Sequence, residues 1–291
     1  MLLCKQEFCQ QPTLFSDGTT RFDVEQGGAG TCWFLSILSS LADNGEAIKQ
    51  IIPDDAYPIG SDKYSGLFHC KLWRFGQWVD VYVDDLLPVK LYGSEFKLWG
   101  AKSTDDREMW VSLMEKAFAR FKGGYANVYG GLPGDAFTTL TGGVAELVEI
   151  QDTDAATLYS RMKNALSCGS IITCSCPVNG IKGLVGNHAY TITGTFRINH
   201  RAQSKMLLRL RNPWGTKGEW KGDWSDKSYL WNDVTDSVKE KMKVNKKMDG
   251  EFWMTMADFM SHFCRVSICN FTPDFDQDGK EDSLSENVIM C

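Results

Sequence analysis

Residues 26–43 read QGGAGTCWFLSILSSLAD. Trp33, Phe34, Ile37, Leu38 and Leu41 recur at the 3.6-residue period of a helix packed on a core, so a helix is expected to begin at the cysteine. A cysteine in the first turn of a helix sits where the dipole favours an anion, which is where a thiolate is wanted. The glycines ahead of it let a backbone approach something closely. Cys32 is thereby set apart from the cysteines at 4, 9, 70, 168, 174, 176, 264, 269 and 291. Those are irregularly spaced in a chain too long to need disulfide staples, and they read as free thiols of a reducing compartment. Cys174 and Cys176 form a C-x-C, but no second Cys/His pair stands at zinc spacing, so they read as ordinary strand cysteines.

Around this stretch the chain falls into two unlike halves. In REMWVSLMEKAFARF (107–121) the apolar positions again follow a helix, with Asp105 and Glu108 placed as a capping pair at its start. LFHCKLWRFGQWVDVYVDD (67–85) reads as two strands about a Gly turn. After TGGV (141–144) strands take over: GSIITCSC, HAYTITGTF, KMLLRLRN and RVSICNFTP. The expected fold is α+β and two-lobed: a mainly helical lobe over 1–142, a β-rich lobe over 143–275, a hinge near Gly142 and Gly143, and an acidic tail over 276–291. A chain of 291 residues, 43% hydrophobic and with ten Trp, can bury the core this needs. Its net charge of −6 argues against a nucleic-acid-binding surface. The start, MLLCKQEFCQQ, lacks a signal peptide's basic and apolar regions, and no apolar run is long enough to span a membrane. A soluble cytoplasmic protein is expected.

A nucleophilic thiol needs an imidazole to take its proton and a third group to hold the ring. His69 lies inside a strand pattern, His200 in a polar turn and His262 late in an amphipathic helix, all ordinary structural settings. His188 follows the loop KGLVGN and opens a strand, which places its side chain at the mouth of a sheet. In KMLLRLRNPWG (205–215) the period of two puts Met206, Leu208, Leu210 and Asn212 on one face, with Leu207, Arg209 and Arg211 on the other. Asn212 ends the apolar row and needs a partner, and Pro213 holds it extended. Cys32, His188 and Asn212 fall in the order of papain-like enzymes, with His and Asn well over a hundred residues after the cysteine.

QGGAGTCWFL, GNHAYTITG and RLRNPWG together resemble the signature blocks of the calpain cysteine-protease core. LFSDGTTRFD, WVDVYVDDLLPV, EMWVSLMEKAFA, TGGVAEL, DGEFWM and ICNFTPD agree in consistent order, from about residue 14 to residue 274. The resemblance implies a two-lobed papain-like fold with the active site between the lobes, and a calcium-dependent intracellular endopeptidase acting on protein substrates. It implies Cys32 as nucleophile, His188 as base, Asn212 as the orienting amide and Gln26 as an oxyanion donor beside the Cys32 N–H. Trp214 is implied as a gate, an indole that wedges the lobes apart without calcium. Two positions depart from the family: Thr31 stands where Asp is usual before the cysteine, and Asn187 where Gly is usual before the histidine.

The resemblance also implies two Ca²⁺ sites outside EF-hands, one per lobe. Calcium takes carboxylate and carbonyl oxygens. By position the first maps to Asp23 and Glu108 with carbonyls near Ser16 and Gly18. The second maps to Glu219, Asp226, Asp249 and Glu251 with a carbonyl near Lys247. A rival motif, DFDQDGKEDSLSE (274–286), supplies Asp274, Asp276, Asp278 and Gly279 at EF-hand positions but has Ser285 where the loop needs its glutamate, and reads as a solvated acidic tail. The sequence ends soon after the last matching block, so the further calpain domains are not expected in it. The alternative function is a catalytically silent calpain-like module that binds calcium or partner proteins. Cleavage preference, any regulatory subunit and any inhibitor are not legible.

Overall fold

The computed structural model describes residues 2–4, 9, 11–55, 62–176, 181–215, 218–244 and 249–271. Lys247, the acidic tail and the 274–286 motif lie outside these.

The first lobe is built on helices α1 (Cys32–Ala42), α2 (Gly45–Ile51), α3 (Trp110–Phe121) and α4 (Pro133–Thr141). The expected helix does begin at Cys32, and the period seen in the sequence buries Trp33, Phe34, Ile37, Leu38 and Leu41. Phe34 stacks on Phe118 of α3 at a 4.2 Å centroid distance, and Trp33 meets the same ring edge-on at 5.3 Å. Among the described residues, three small antiparallel sheets edge this helical core. Strand β1 (Leu2–Cys4) pairs with β5 (Leu86–Tyr92), which pairs with β6 (Glu95–Leu98); β2 (Val24–Glu25) pairs with β7 (Lys102–Ser103); β3 (Leu67–Arg74) pairs with β4 (Gln77–Asp84). The β3–β4 hairpin is the one expected, and its turn, Phe75–Gly76, puts both residues at positive φ (50° and 81°), as a two-residue hairpin turn requires.

The capping pair is corrected. Helix α3 starts at Trp110 with Met109 at its N-cap. Glu108 is buried and accepts from the Ser16 N–H (2.7 Å) and the Ser103 hydroxyl (2.5 Å), while Asp105 bonds Ser16 Oγ and Arg107. Burial between two other segments outweighs the local capping pattern.

The second lobe is a six-stranded antiparallel sheet in the order β12 (Glu251–Thr255), β11 (Gln203–Arg211), β10 (His188–His200), β9 (Ile171–Cys176), β13 (Arg265–Asn270), β8 (Val144–Glu149). Helices α5 (Ala155–Ser167) and α7 (Met256–His262) cover one face, where Leu158, Met162 and Phe259 bury against Ile172, Ile192, Leu208 and Leu210. Short α6 (Asp236–Lys241) lies in the segment between β11 and β12. A smaller cluster of Ile198, Leu207, Trp224, Trp231 and Trp253 forms a satellite core.

The other face of β11 holds a second surprise. Arg209 and Arg211 point away from the apolar row as expected, yet Arg211 is 1% exposed and Arg209 8%. Arg211 reaches the Asp249 carbonyl (2.9 Å) and, across the lobe junction, the Val24 carbonyl (3.4 Å).

Candidate active site

Cys32 is the first residue of α1 and His188 the first of β10, and these two elements pack together across the lobes. One turn into the helix, the Ser36 carbonyl accepts from Thr191 Oγ1 at 3.1 Å, and Ser40 Oγ donates to the same hydroxyl at 3.4 Å. Pinning Ser36 to Thr191 brings the two element starts to one place. Backbone amides of Ala189, Trp33 and Cys32 itself point at the sulfur. Thiol and imidazole line one cavity of about 320 Å³, walled by Trp33, Gly131 and Pro133 and floored by Thr173 and Ser267.

His188 is 3% exposed and Asn212 fully buried. Imidazole Nε2 lies 2.7 Å from Asn212 Oδ1. The same oxygen accepts from the Trp214 backbone N–H (2.9 Å), and Asn212 Nδ2 donates to the Gly218 carbonyl (3.0 Å). An atom that accepts from an amide N–H must be the carbonyl oxygen, so the ring nitrogen facing it carries the proton. Nδ1 is left with a lone pair, the form a base needs. Burial pushes the imidazole down to about 4 against the opposing pull of Asn212. Burial also pushes the Cys32 thiol up, opposed by the three amides. Both shifts favour the neutral thiol and the neutral imidazole, the pair from which a proton can pass from sulfur to nitrogen.

Trp214 packs its indole against the His188 ring (4.6 Å between centroids) and donates its Nε1–H to Gln26 Oε1 at 2.8 Å. The Gln26 N–H donates to the Pro213 carbonyl at 3.1 Å. Gln26 and Trp214 thus bridge the lobes near Cys32, leaving the Gln26 amide NH₂ as its available donor. Asn187 is exposed on the cavity rim with φ of 51°, a left-handed conformation that Gly adopts freely and Asn tolerates. The other histidines take structural partners: His69 meets Asp80, His200 meets Asp233, and His262 packs on Trp220.

Among the described residues no three His, Cys, Asp or Glu side chains converge on a metal-holding position. The two carboxylate sets differ in chemistry. In the first, Glu108 is satisfied as above, Asp23 accepts from the Thr20 N–H and hydroxyl, and Ser16 turns its N–H rather than its carbonyl toward Glu108. Every carboxylate there has protein donors, a poor fit to a cation. In the second, Glu219 accepts from the Gly250 N–H and Asp249 from the Glu251 N–H, but Asp226 Oδ2 is buried without a hydrogen-bond partner. Burial, then the charges of Glu219, Asp249 and Glu251, push Asp226 up to about 7. An orphaned oxygen among like charges is a fit to a cation.

Sequence reasoning missed the arginines that join the lobes. Arg21 Nε lies 3.0 Å from Glu251 Oε1, an ion pair without an aligned hydrogen bond, and Arg21 Nη1 lies 2.6 Å from Asp43. Arg21 stands two residues before Asp23, and Glu251 belongs to the second carboxylate set. Only the pairing of the folded lobes reveals that link.

Helices packed beside antiparallel sheets, with the cysteine helix facing the first strand of the large sheet, make this the α+β papain-like fold. A sequence profile of the calpain family cysteine proteases matches residues 4–270. The chain is 41% identical over 277 residues to the calpain-1 catalytic subunits of Homo sapiens and Mus musculus, covering 92% of this chain and 37% of each relative. It is 37% identical over 279 residues to calpain clp-4 of Caenorhabditis elegans, covering 93% of this chain and 38% of that one. The chain belongs to the calpain family of cysteine proteases, and it spans little more than a third of the length of these curated relatives.

Proposed function

We propose that this protein is a calcium-dependent cysteine endopeptidase of the cytoplasm that hydrolyses protein substrates. The observation that carries the reading is the 2.7 Å contact between His188 Nε2 and Asn212 Oδ1, with the free imidazole nitrogen in the cavity that also holds Cys32. Nδ1 takes the thiol proton, and the sulfur attacks the carbonyl carbon of the scissile peptide. The oxyanion is met by the Cys32 N–H and the Gln26 amide, a type of contact whose loss costs about 3 kcal/mol in the transition state. The imidazolium returns its proton to the departing amine, leaving a thioester. Water, deprotonated by His188, then hydrolyses the thioester to a carboxylic acid and regenerates the thiol.

We divide the chain for this purpose at residues 142 and 143, so that each lobe brings one half of the machinery. Glu219, Asp226, Asp249 and Glu251 would hold calcium, which would supply positive charge beside Asp226, whose buried Oδ2 has no hydrogen-bond partner. Trp214, on His188 and bonded to Gln26, is read as the gate. A cytoplasmic setting is the reading that goes with free thiols at Cys32, Cys70, Cys168, Cys174, Cys176, Cys264 and Cys269. Among the described residues no helix is long and apolar enough to cross a membrane.

The test is hydrolysis of an unfolded, casein-like protein by the parent and by Cys32→Ala, each with millimolar calcium or excess chelator. The parent should cleave only with calcium, and Cys32→Ala under neither condition while keeping its fold. Full parental activity in chelator overturns the calcium dependence. A parent inactive in both conditions returns the protein to the silent, ligand-binding class.

A further inference from the structure

Thr31 occupies the N-cap of α1, yet its hydroxyl does not cap the helix. It donates instead to Glu115 Oε1 at 2.5 Å, in the middle of α3, and both residues are buried. The second carboxyl oxygen, Oε2, accepts from the Ala101 N–H at 2.8 Å, and Ser112 of the same helix donates to the Ala101 carbonyl at 2.8 Å. Helix α3 therefore grips both backbone polar groups of one residue, Ala101.

The segment that ends at Ala101 backs the loop ahead of the cysteine. The Gly28 N–H donates to the Trp99 carbonyl at 2.6 Å, and a Cβ on Gly27 would fall 1.9 Å from the Gly100 carbonyl oxygen. A Cβ on Gly100 would fall 2.3 Å from Glu115 Oε2. Residues 26–28 thus lie directly on 99–101, which lies directly on Glu115. No side chain larger than hydrogen fits between these layers.

We propose that Glu115 is a positioning residue, one carboxyl group that fixes the start of the nucleophile's helix through Thr31 and the Gln26–Gly28 loop through Ala101. A single buried group then sets the spacing between the sulfur and the oxyanion donors. Among the described residues no cation stands beside the carboxyl: burial raises its proton affinity, and the hydrogen bonds from Thr31 and Ala101 oppose that. Tyr125, on the same side of α3, contributes its hydroxyl to the surroundings. Such a group is costly in a core unless its hydrogen bonds are kept. Thr31 supplies the hydroxyl donor that Glu115 needs.

The inference rests on the proteolytic reading, and the test separates the two. Thr31→Val keeps shape and burial but removes the donor, while Thr31→Ser restores it. For Thr31→Val, kcat should fall about tenfold with KM within about twofold, because sub-ångström misplacement of reacting groups costs rate rather than binding. The second-order rate of Cys32 alkylation by iodoacetamide should fall in parallel. Thr31→Ser should recover at least about half of both losses, as a restored hydrogen bond would. Glu115→Gln, which can still accept from Ala101 and donate to Thr31, should lie nearer the parent than Glu115→Ala in both readouts. If the parent proves proteolytically inactive, the alkylation rates still decide the positioning claim. Parental kcat and alkylation in Thr31→Val, or equal losses in the Val and Ser variants, overturn it.

Discussion

Acidification should destabilise this protein through His188 by a calculable amount. The unfolded chain protonates this imidazole near its ordinary value of 6.5, whereas in the folded protein burial delays protonation to about 4. Between those values the unfolded state binds the extra proton, so its stability relative to the folded state rises as pH falls. The stability His188 contributes is present above 6.5 and is lost as pH drops toward 4. From the separation of the two pKa values the loss at pH 4.5 is about 2 to 3 kcal/mol, a large part of a typical folding free energy. Other carboxylates also titrate in this range, so the measurement must isolate one residue. Urea unfolding at pH 7 and pH 4.5 should be compared between the parent and His188→Gln. Glutamine cannot titrate, yet its amide NH can still donate to Asn212. The parent should lose about 2 to 3 kcal/mol more than the variant between the two pH values. Equal losses would mean that His188 is as easily protonated when folded as when unfolded, and the neutral thiol–imidazole pair would have to be abandoned.

Two further outcomes are expected. Asn187→Gly should raise kcat/KM for peptide substrates by at most about tenfold, about 1.4 kcal/mol, by clearing a side chain from the cavity rim; an unchanged or lower value in steady-state kinetics means the cleft already accommodates it. Asp226→Ala should raise the calcium needed for half-activity more than Asp23→Ala does, because Asp226 has an oxygen without a partner while Asp23 is already held by Thr20; a calcium titration giving the reverse order refutes that ranking.

Much of the site was legible because its signals are local. A cysteine opening a 3.6-period stretch, an asparagine ending an apolar strand row before proline, and a histidine opening a strand each depend on neighbours within a few residues. The Cys–His–Asn order then needed only the two elements to meet. The pairing Thr191 to Ser36, which makes them meet, joins residues far apart in sequence and leaves no local mark. The sheet order β12-β11-β10-β9-β13-β8 was illegible for the same reason, since β13 inserts between β9 and β8. Glu108 misled in the opposite way: a local capping pattern was present, but long-range burial between Ser16 and Ser103 claimed the side chain. Arg209 and Arg211 look like a solvated strand face until the lobe junction covers them.

The alternation along β11 also guards against misfolding. Leu208 and Leu210 lie in the hydrocarbon core while Arg209 and Arg211 lie on the opposite face. A slip of one residue in pairing would exchange the faces, driving two guanidinium groups into that core and pulling two leucines out. Asn212 immediately follows this strand, so the same slip would carry its amide away from His188. Mispaired chains are thus rejected during assembly by charges that take no part in the chemistry, and a chain that completes this sheet has its asparagine in register.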